Sequence, residues 1–320
     1  MSQSNEQKRL ALFDVYSQNA SFFETSRTQG IFVCPICLRC WERIACVGKD
    51  CSVNLAHVYP ASCGGNVETL ACASCNSKLG SKYDSQIALE HKINAAWNEE
   101  SDCAIAASVK LFDEKVQVNL SRTPRGMMMV MSGAHNSPEV VERLSKRLEG
   151  NIGDFEFTIL HRAVDVIRFR VAILYGAHLL LFREFGYEYI CSDLGKWVRQ
   201  VAVEAATTDD QLPFPIMGLR RADGFDSSYC YRVMMLTNPH EHRTMWVTLP
   251  TPDPAYVARA VVLPGSTDAD SMKAFDMFKT ASPRRSQFSF LSGSATERLR
   301  VEDWKYCQQS WWKHVCDGNV

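Results

Sequence analysis

What this chain lacks already excludes several kinds of protein. No apolar run approaches the roughly 20 residues needed to cross a bilayer. The longest, VAILYGAHLLLF at 171–182, is too short and is flanked by charge. The opening stretch MSQSNEQKRLALFDVYSQN has no apolar core of the secretory type, so a cytoplasmic location and no membrane partner are expected. Net charge is almost nil, −1 from 35 basic and 36 acidic residues. A face for nucleic acid would have to arise by segregating charge rather than accumulating it. There is no Gly-rich phosphate cradle, no Gly-x-Ser-x-Gly, no acidic cluster, no internal repeat and no low-complexity tract. With 46% apolar and 22% charged residues in 320, the chain is not a disordered one and has room for one large domain or two to three smaller ones.

Cysteine, by contrast, is plentiful. Of 13 cysteines, five fall between positions 34 and 51, and Cys63, Cys72 and Cys75 follow closely. Without export the thiols stay reduced, and clustered cysteines then read as metal ligands rather than disulfides. Cys34-x-x-Cys37 and Cys72-x-x-Cys75 are two knuckles. Each presents two thiolates to one side of a metal, and four together make a closed tetrahedral zinc site with no open position for water. Such a zinc is structural. Cys40, Cys46 and Cys51 match no further pair and read as buried or idle thiols.

Taken in order, residues 1–30 predict a leading helix broken by Thr28, Gln29 and Gly30. IFVC at 31–34 is a short strand entering the first knuckle. VNLAHVYP and the second knuckle predict a small two-stranded hairpin and a helix, with ASCGGN as the turn and Ile87, Leu89, Ile93 and Trp97 on the helix. NEESD at 98–102 marks a soft boundary. VKLFDEKVQVNL and RGMMMVMS predict a β-hairpin through Thr-Pro-Arg-Gly. Ser137 and Pro138 open a helix that Gly150 ends, and FEFTIL at 155–160 is another strand. Residues 161–206 predict a core helix stopped at Gly186 and a second helix packed on it. LPFPIMGL, CYRVMMLT, RTMWVTLP and VARAVVLP predict strands, followed by a helix near 268–279 and a tail bearing Trp304, Trp311 and Trp312. The expected class is α+β: a zinc-braced ββα module at 31–98, then a larger mixed region at 104–320 that divides near 207.

His57-x-x-Pro60, Gly64-Gly65 and Cys72-x-x-Cys75-Asn76-x-Lys78-x-Gly80 together resemble the HNH endonuclease family in its zinc-stapled form, over roughly residues 31–90. The resemblance implies a β-hairpin and helix that grip one magnesium or similar divalent cation and hydrolyse phosphodiester bonds in DNA, with RNA left open. It implies His57 as general base on a water, a role suited to imidazole because it titrates near neutrality. It implies Asn76 as a metal ligand, Asn66 as the nearest counterpart of the bracing asparagine, and Lys78 and Lys82 as phosphate contacts. The family carries an acidic residue or histidine before the base, where this chain has Ala56, and a methyl cannot bind a cation. Asp84 is the residue expected to compensate, with Asn54 as another choice. FRVAILYGAHLLLFREFGYEY is similar to a region that follows the nuclease module in some bacterial HNH proteins, ending in Phe-x-x-x-Gly-Tyr-x-Tyr.

Two other readings stay open. One is an HNH-derived zinc module that binds nucleic acid or regulates without cutting. The other is a defence-type effector whose C-terminal region senses a ligand or partner and licenses the nuclease. A homodimer is also left open. Elsewhere, His240-x-His242 reads as a solvated turn, and Met127–Met129, Met131, Met234 and Met235 read as strand core. Arg284-Arg285 and Arg298-x-Arg300 read as solvated surface, and the tail tryptophans as buried.

Overall fold

Apolar residues three and four apart make one helical face. On helix α1 (Asn5–Ser21) that face carries Phe13, Tyr16 and Ala20 into the core. The computed structural model describes residues 4–21, 30–98, 103–149 except 113 and 125, 157–205, 214–264 except 222, 223 and 239–243, and 295–298. After α1, β1 (Ile31–Val33) and β2 (Cys40–Glu42) pair antiparallel around the first knuckle. β3 (Val53–His57) and β4 (Glu68–Cys72) form the predicted hairpin, with Val53 opposite Cys72 and His57 opposite Glu68. Helix α2 (Ala73–Leu79) starts on the next residue, and a π-helical turn at Gly80–Asp84 carries it into α3 (Ser85–Trp97).

The chain divides into two compact units, residues 1–87 with 166–320, and residues 88–165. The division falls inside α3 and at Asp165, whereas the sequence pointed to 98–102 and 207, and the leading helix shares a core with the two hairpins that carry the cysteines. In the smaller unit, β5 (Ile105–Leu111), β6 (Glu114–Thr123), β7 (Gly126–Met131) and β8 (Phe157–His161) form an antiparallel sheet in the order β7-β6-β5-β8. Ile105, Ala107, Val109, Leu111, Val116, Val118 and Leu120 alternate inward against Leu144 of α4 (Pro138–Leu148) and Ala96. Ser137 caps α4 as expected, its Oγ 3.4 Å from the Val140 nitrogen, with Pro138 in the first turn. Two expectations are corrected. VKLFDEKVQVNL is two strands, reversing at Phe112, whose φ of 52° lies in the left-handed region. Met127 and Met128 are exposed because β7 is an edge strand, while Met129 and Met131 pack on the core and Met234 and Met235 are buried.

In the larger unit, α5 (Val166–Cys191) is buried on nearly all sides, including Val171, Ile173, Leu174, Leu180, Leu181 and Phe182, as its continuous apolar sequence requires. α6 (Asp193–Ala205) follows. β9 (Ile216–Leu219), β10 (Val233–Asn238), β11 (Thr244–Leu249), β12 (Ala258–Pro264) and β13 (Ala295–Arg298) make an antiparallel sheet in the order β13-β10-β11-β12-β9. Its central strand β11 is buried on both faces. Met245, Val247 and Leu249 join the main core with α5, and Trp246 joins Met234, Ala260 and Val262 on the far side. Residues 239–243, 265–294 and 299–320, and with them His240-x-His242, the helix near 268–279, Arg284-Arg285 and the tail tryptophans, lie outside the described residues.

The break at Gly186 positions the first knuckle. With φ 59° and ψ −140°, Gly186 leaves the helical path, and the chain resumes a helical turn through Cys191. The Asn19 carboxamide oxygen accepts from the Tyr187 backbone nitrogen at 2.7 Å. The Tyr187 hydroxyl accepts from the Val33 nitrogen at 2.7 Å and donates to the Val33 oxygen at 3.0 Å. His178 Nε2 lies 2.8 Å from the Pro35 carbonyl, which can only accept, so Nε2 carries the proton and Nδ1 accepts from the Tyr189 hydroxyl at 2.6 Å. One helix and the turn after it thus hold both residues that flank Cys34. Among the described residues, no helix is long and apolar enough to cross a membrane.

Tyr187→Phe leaves the buried Val33 nitrogen and oxygen without their shared partner and is expected to lower stability by about 1–3 kcal/mol in chemical denaturation. Burial holds His178 neutral, with its pKa pushed down to about 3. An unfolded histidine titrates near 6.5, so on acidification the unfolded chain binds a proton that the folded chain refuses. The stability tied to His178 is complete above about pH 6.5 and is lost progressively toward pH 3, about 2 kcal/mol of it by pH 5. Denaturation curves of the parent and His178→Gln, compared between pH 7 and pH 5, should differ by that amount.

Candidate functional site

The two knuckles converge. In the first, the Cys34 nitrogen donates to the Arg39 oxygen at 2.9 Å and the Leu38 nitrogen to the Cys34 oxygen at 2.9 Å, with Leu38 in the left-handed region at φ 62°. In the second, Cys72 ends β4 and Cys75 lies in the first turn of α2. The four sulfur atoms all lie within 4.8 Å of one another, and Cys37 Sγ is 3.6 Å from Cys72 Sγ. A tetrahedron with zinc–sulfur bonds of about 2.3 Å has sulfurs about 3.8 Å apart, so the set is compatible with structural zinc. Burial pushes the Cys34 thiol up, while hydrogen bonds from Cys34, Cys37 and Cys75 hold the Cys72 thiol far below its ordinary range. Four cysteine sulfurs within reach of one another are the donor set that zinc takes.

The hairpin and helix stapled by this cluster carry the other predicted residues. His57 ends β3 with its side chain 35% exposed, so its ring meets solvent. Behind it the chain packs on α5. A Cβ on Gly176 would lie 2.6 Å from the Val58 oxygen, so only glycine lets the helix approach the backbone next to His57. His57 Nε2 is 3.4 Å from Glu68 Oε1, and Glu68 Oε2 is 3.0 Å from Lys8 Nζ on α1. Asp84 lies in the π-helical turn between α2 and α3. Burial raises its pKa and the charge of His57 acts against that rise, so the two groups are within electrostatic reach. Insertions of π type recur at functional sites.

Asn76, on α2, donates from Nδ2 to the Leu55 oxygen at 3.0 Å, tying the helix to β3. Asn54 is occupied differently, its oxygen accepting from Cys51 Sγ at 2.8 Å. Asn66 is exposed in the loop between the hairpin strands. Lys78 is exposed on α2, and Lys82 Nζ sits 5.3 Å from the Tyr83 ring centroid. Ala56 is fully buried in the core, so the position at which the family carries a metal ligand faces packed side chains. Among the described residues, the four cysteines are the one group of three or more cysteine, histidine, aspartate or glutamate side chains close enough to share an ion. The divalent-cation site expected from Asn76 and Asp84 therefore finds no support. A hard cation wants an oxygen-rich shell, and His57, Glu68 and Asp84 are not gathered into one.

No family model matches the chain, and comparisons with curated proteins and with solved structures return no match either. Glu68 is the site residue that sequence reasoning missed. Strand register alone brings it opposite His57. ETLAC has no polar–apolar alternation to fix its register, and a shift of one residue would have turned Glu68 to the other face.

The purified chain is expected to carry about one equivalent of zinc by elemental analysis. Cys72→Ser, which removes the thiolate between the hairpin and α2, should lose the metal and melt the module at lower temperature, because metal binding free energy here is folding free energy.

Proposed function

We propose that residues 31–98 are a zinc-stapled ββα module of the HNH type that hydrolyses phosphodiester bonds in DNA, with His57 as general base. The observation that carries this reading is the placement of His57. It stands at the solvent end of β3, beside the carboxylate of Glu68, on a hairpin stapled to the helix bearing Asn76. Imidazole at such an edge can take a proton from water at neutral pH, and a carboxylate next to it stabilises the imidazolium that forms. Lys78 and Lys82, four residues apart along the same helical path, would meet the phosphate backbone. Zinc in this reading is a staple and takes no part in the hydrolysis.

A specific observation favours a second reading. Ala56 is buried and the hard-cation shell is not gathered, which suits a module that holds nucleic acid without cutting it. Incubation of the zinc-loaded chain with supercoiled plasmid and with single-stranded DNA, with magnesium, with manganese and without either, separates the two. Under the first reading the parent cuts, and His57→Ala cuts at least about 100-fold more slowly while binding DNA equally well. Equal cutting by both proteins removes His57 from the chemistry. Binding without cutting by both establishes the second reading.

A further inference from the structure

Three elements outside its own strand bear on His57, two directly and α1 through Glu68. Glu68 is on β4, Asp84 in the turn after α2, and Lys8 on α1. The Glu68 carboxylate is four-fifths buried and bridges two basic groups, His57 Nε2 at 3.4 Å on one oxygen and Lys8 Nζ at 3.0 Å on the other. Arg183 of α5 donates to the backbone oxygen of the same residue. Glu68 is thus held at both its main chain and its side chain, with its carboxylate facing the imidazole. Its paired oxygens can only accept, so a histidine nitrogen facing one of them is stabilised when it carries a proton.

We infer that Glu68 is a positioning residue for His57, with Lys8 fixing Glu68 in turn. Nε2 keeps its proton toward the carboxylate, and Nδ1 is the nitrogen that takes the proton from the attacking water. This rests on His57 being the general base. In the step itself a water O–H bond breaks and its proton goes to Nδ1. The oxygen forms a new bond to phosphorus, and the bond to the leaving oxygen breaks as that oxygen is protonated by solvent. Glu68 stays ionised throughout and balances the imidazolium. The consequence for the fold is that α1, which lies outside the hairpin–helix segment, belongs to the site through Lys8.

The test uses the full zinc-loaded chain and has an arm that needs no activity. Long-range proton–nitrogen NMR spectra, with His57 assigned by its loss in His57→Gln, are expected to show the Nε2-protonated form with a slowly exchanging Nε2 proton. Glu68→Ala should lose that protection with zinc content unchanged, and Glu68→Gln should retain it in part. In cleavage assays at saturating DNA, Glu68→Ala should cut about 10- to 100-fold more slowly, the range seen when a carboxylate partner is taken from a functional histidine, with KM unchanged. Lys8→Met should show a smaller loss of the same kind. A Nδ1-protonated His57, or a Glu68→Ala spectrum identical to the parent's, overturns the inference. A chain that cuts nothing yet shows the Glu68-dependent Nε2 proton supports the positioning and counts against the nuclease reading alone.

Discussion

Four sulfur atoms within 4.8 Å of one another are the constraint that joins the two N-terminal hairpins and α2. The hairpins β1–β2 and β3–β4 are each two-stranded, and an isolated two-stranded hairpin is marginal in water. The cysteines tie the turn of one to the end of the other. The polypeptide holds the same knuckle from the opposite side, through Tyr187 on Val33 and His178 on Pro35. The cluster is therefore not a separate finger tethered to a domain. It is one wall of a core whose other wall is α5, and the β-sheet behind α5 completes that core.

The same arrangement accounts for where charge is tolerated. His178 is buried and neutral because its two nitrogens already have a donor and an acceptor as partners. His57, on the same unit, is open to water and has a carboxylate instead. Two histidines of one chain thus differ in solvent access and in the charge of their partners, and under the proposed function that difference separates a structural imidazole from one that moves a proton. Ala56, one residue before His57 on β3, shows the reverse case. Strand alternation sends it into the core, where a charged ligand would cost free energy rather than bind an ion.

Much of this was legible in the residues because it depends on short spacing. The Cys-x-x-Cys pairs, the Ser137-Pro138 helix start and the glycine before Tyr187 each act over a few positions, and each stands where the spacing predicted. The reversal at Phe112 was hidden because DEK between apolar runs carries none of the usual glycine signal for a turn. The exposure of Met127 and Met128 was hidden because an edge strand and a central strand can share one apolar sequence.

Local chemistry and spacing along the chain specify the zinc-type cysteine set, the hairpin–helix order and His57 as the candidate site histidine. The company His57 keeps comes from tertiary packing. Glu68 lies opposite it through strand register, Lys8 on α1 pairs with the other oxygen of that Glu68 carboxylate, and Asp84 comes within electrostatic reach through an inserted helical turn. Each of these is a long-range contact whose partner is chosen by packing against α5 and by pairing geometry, and no spacing along the chain encodes it.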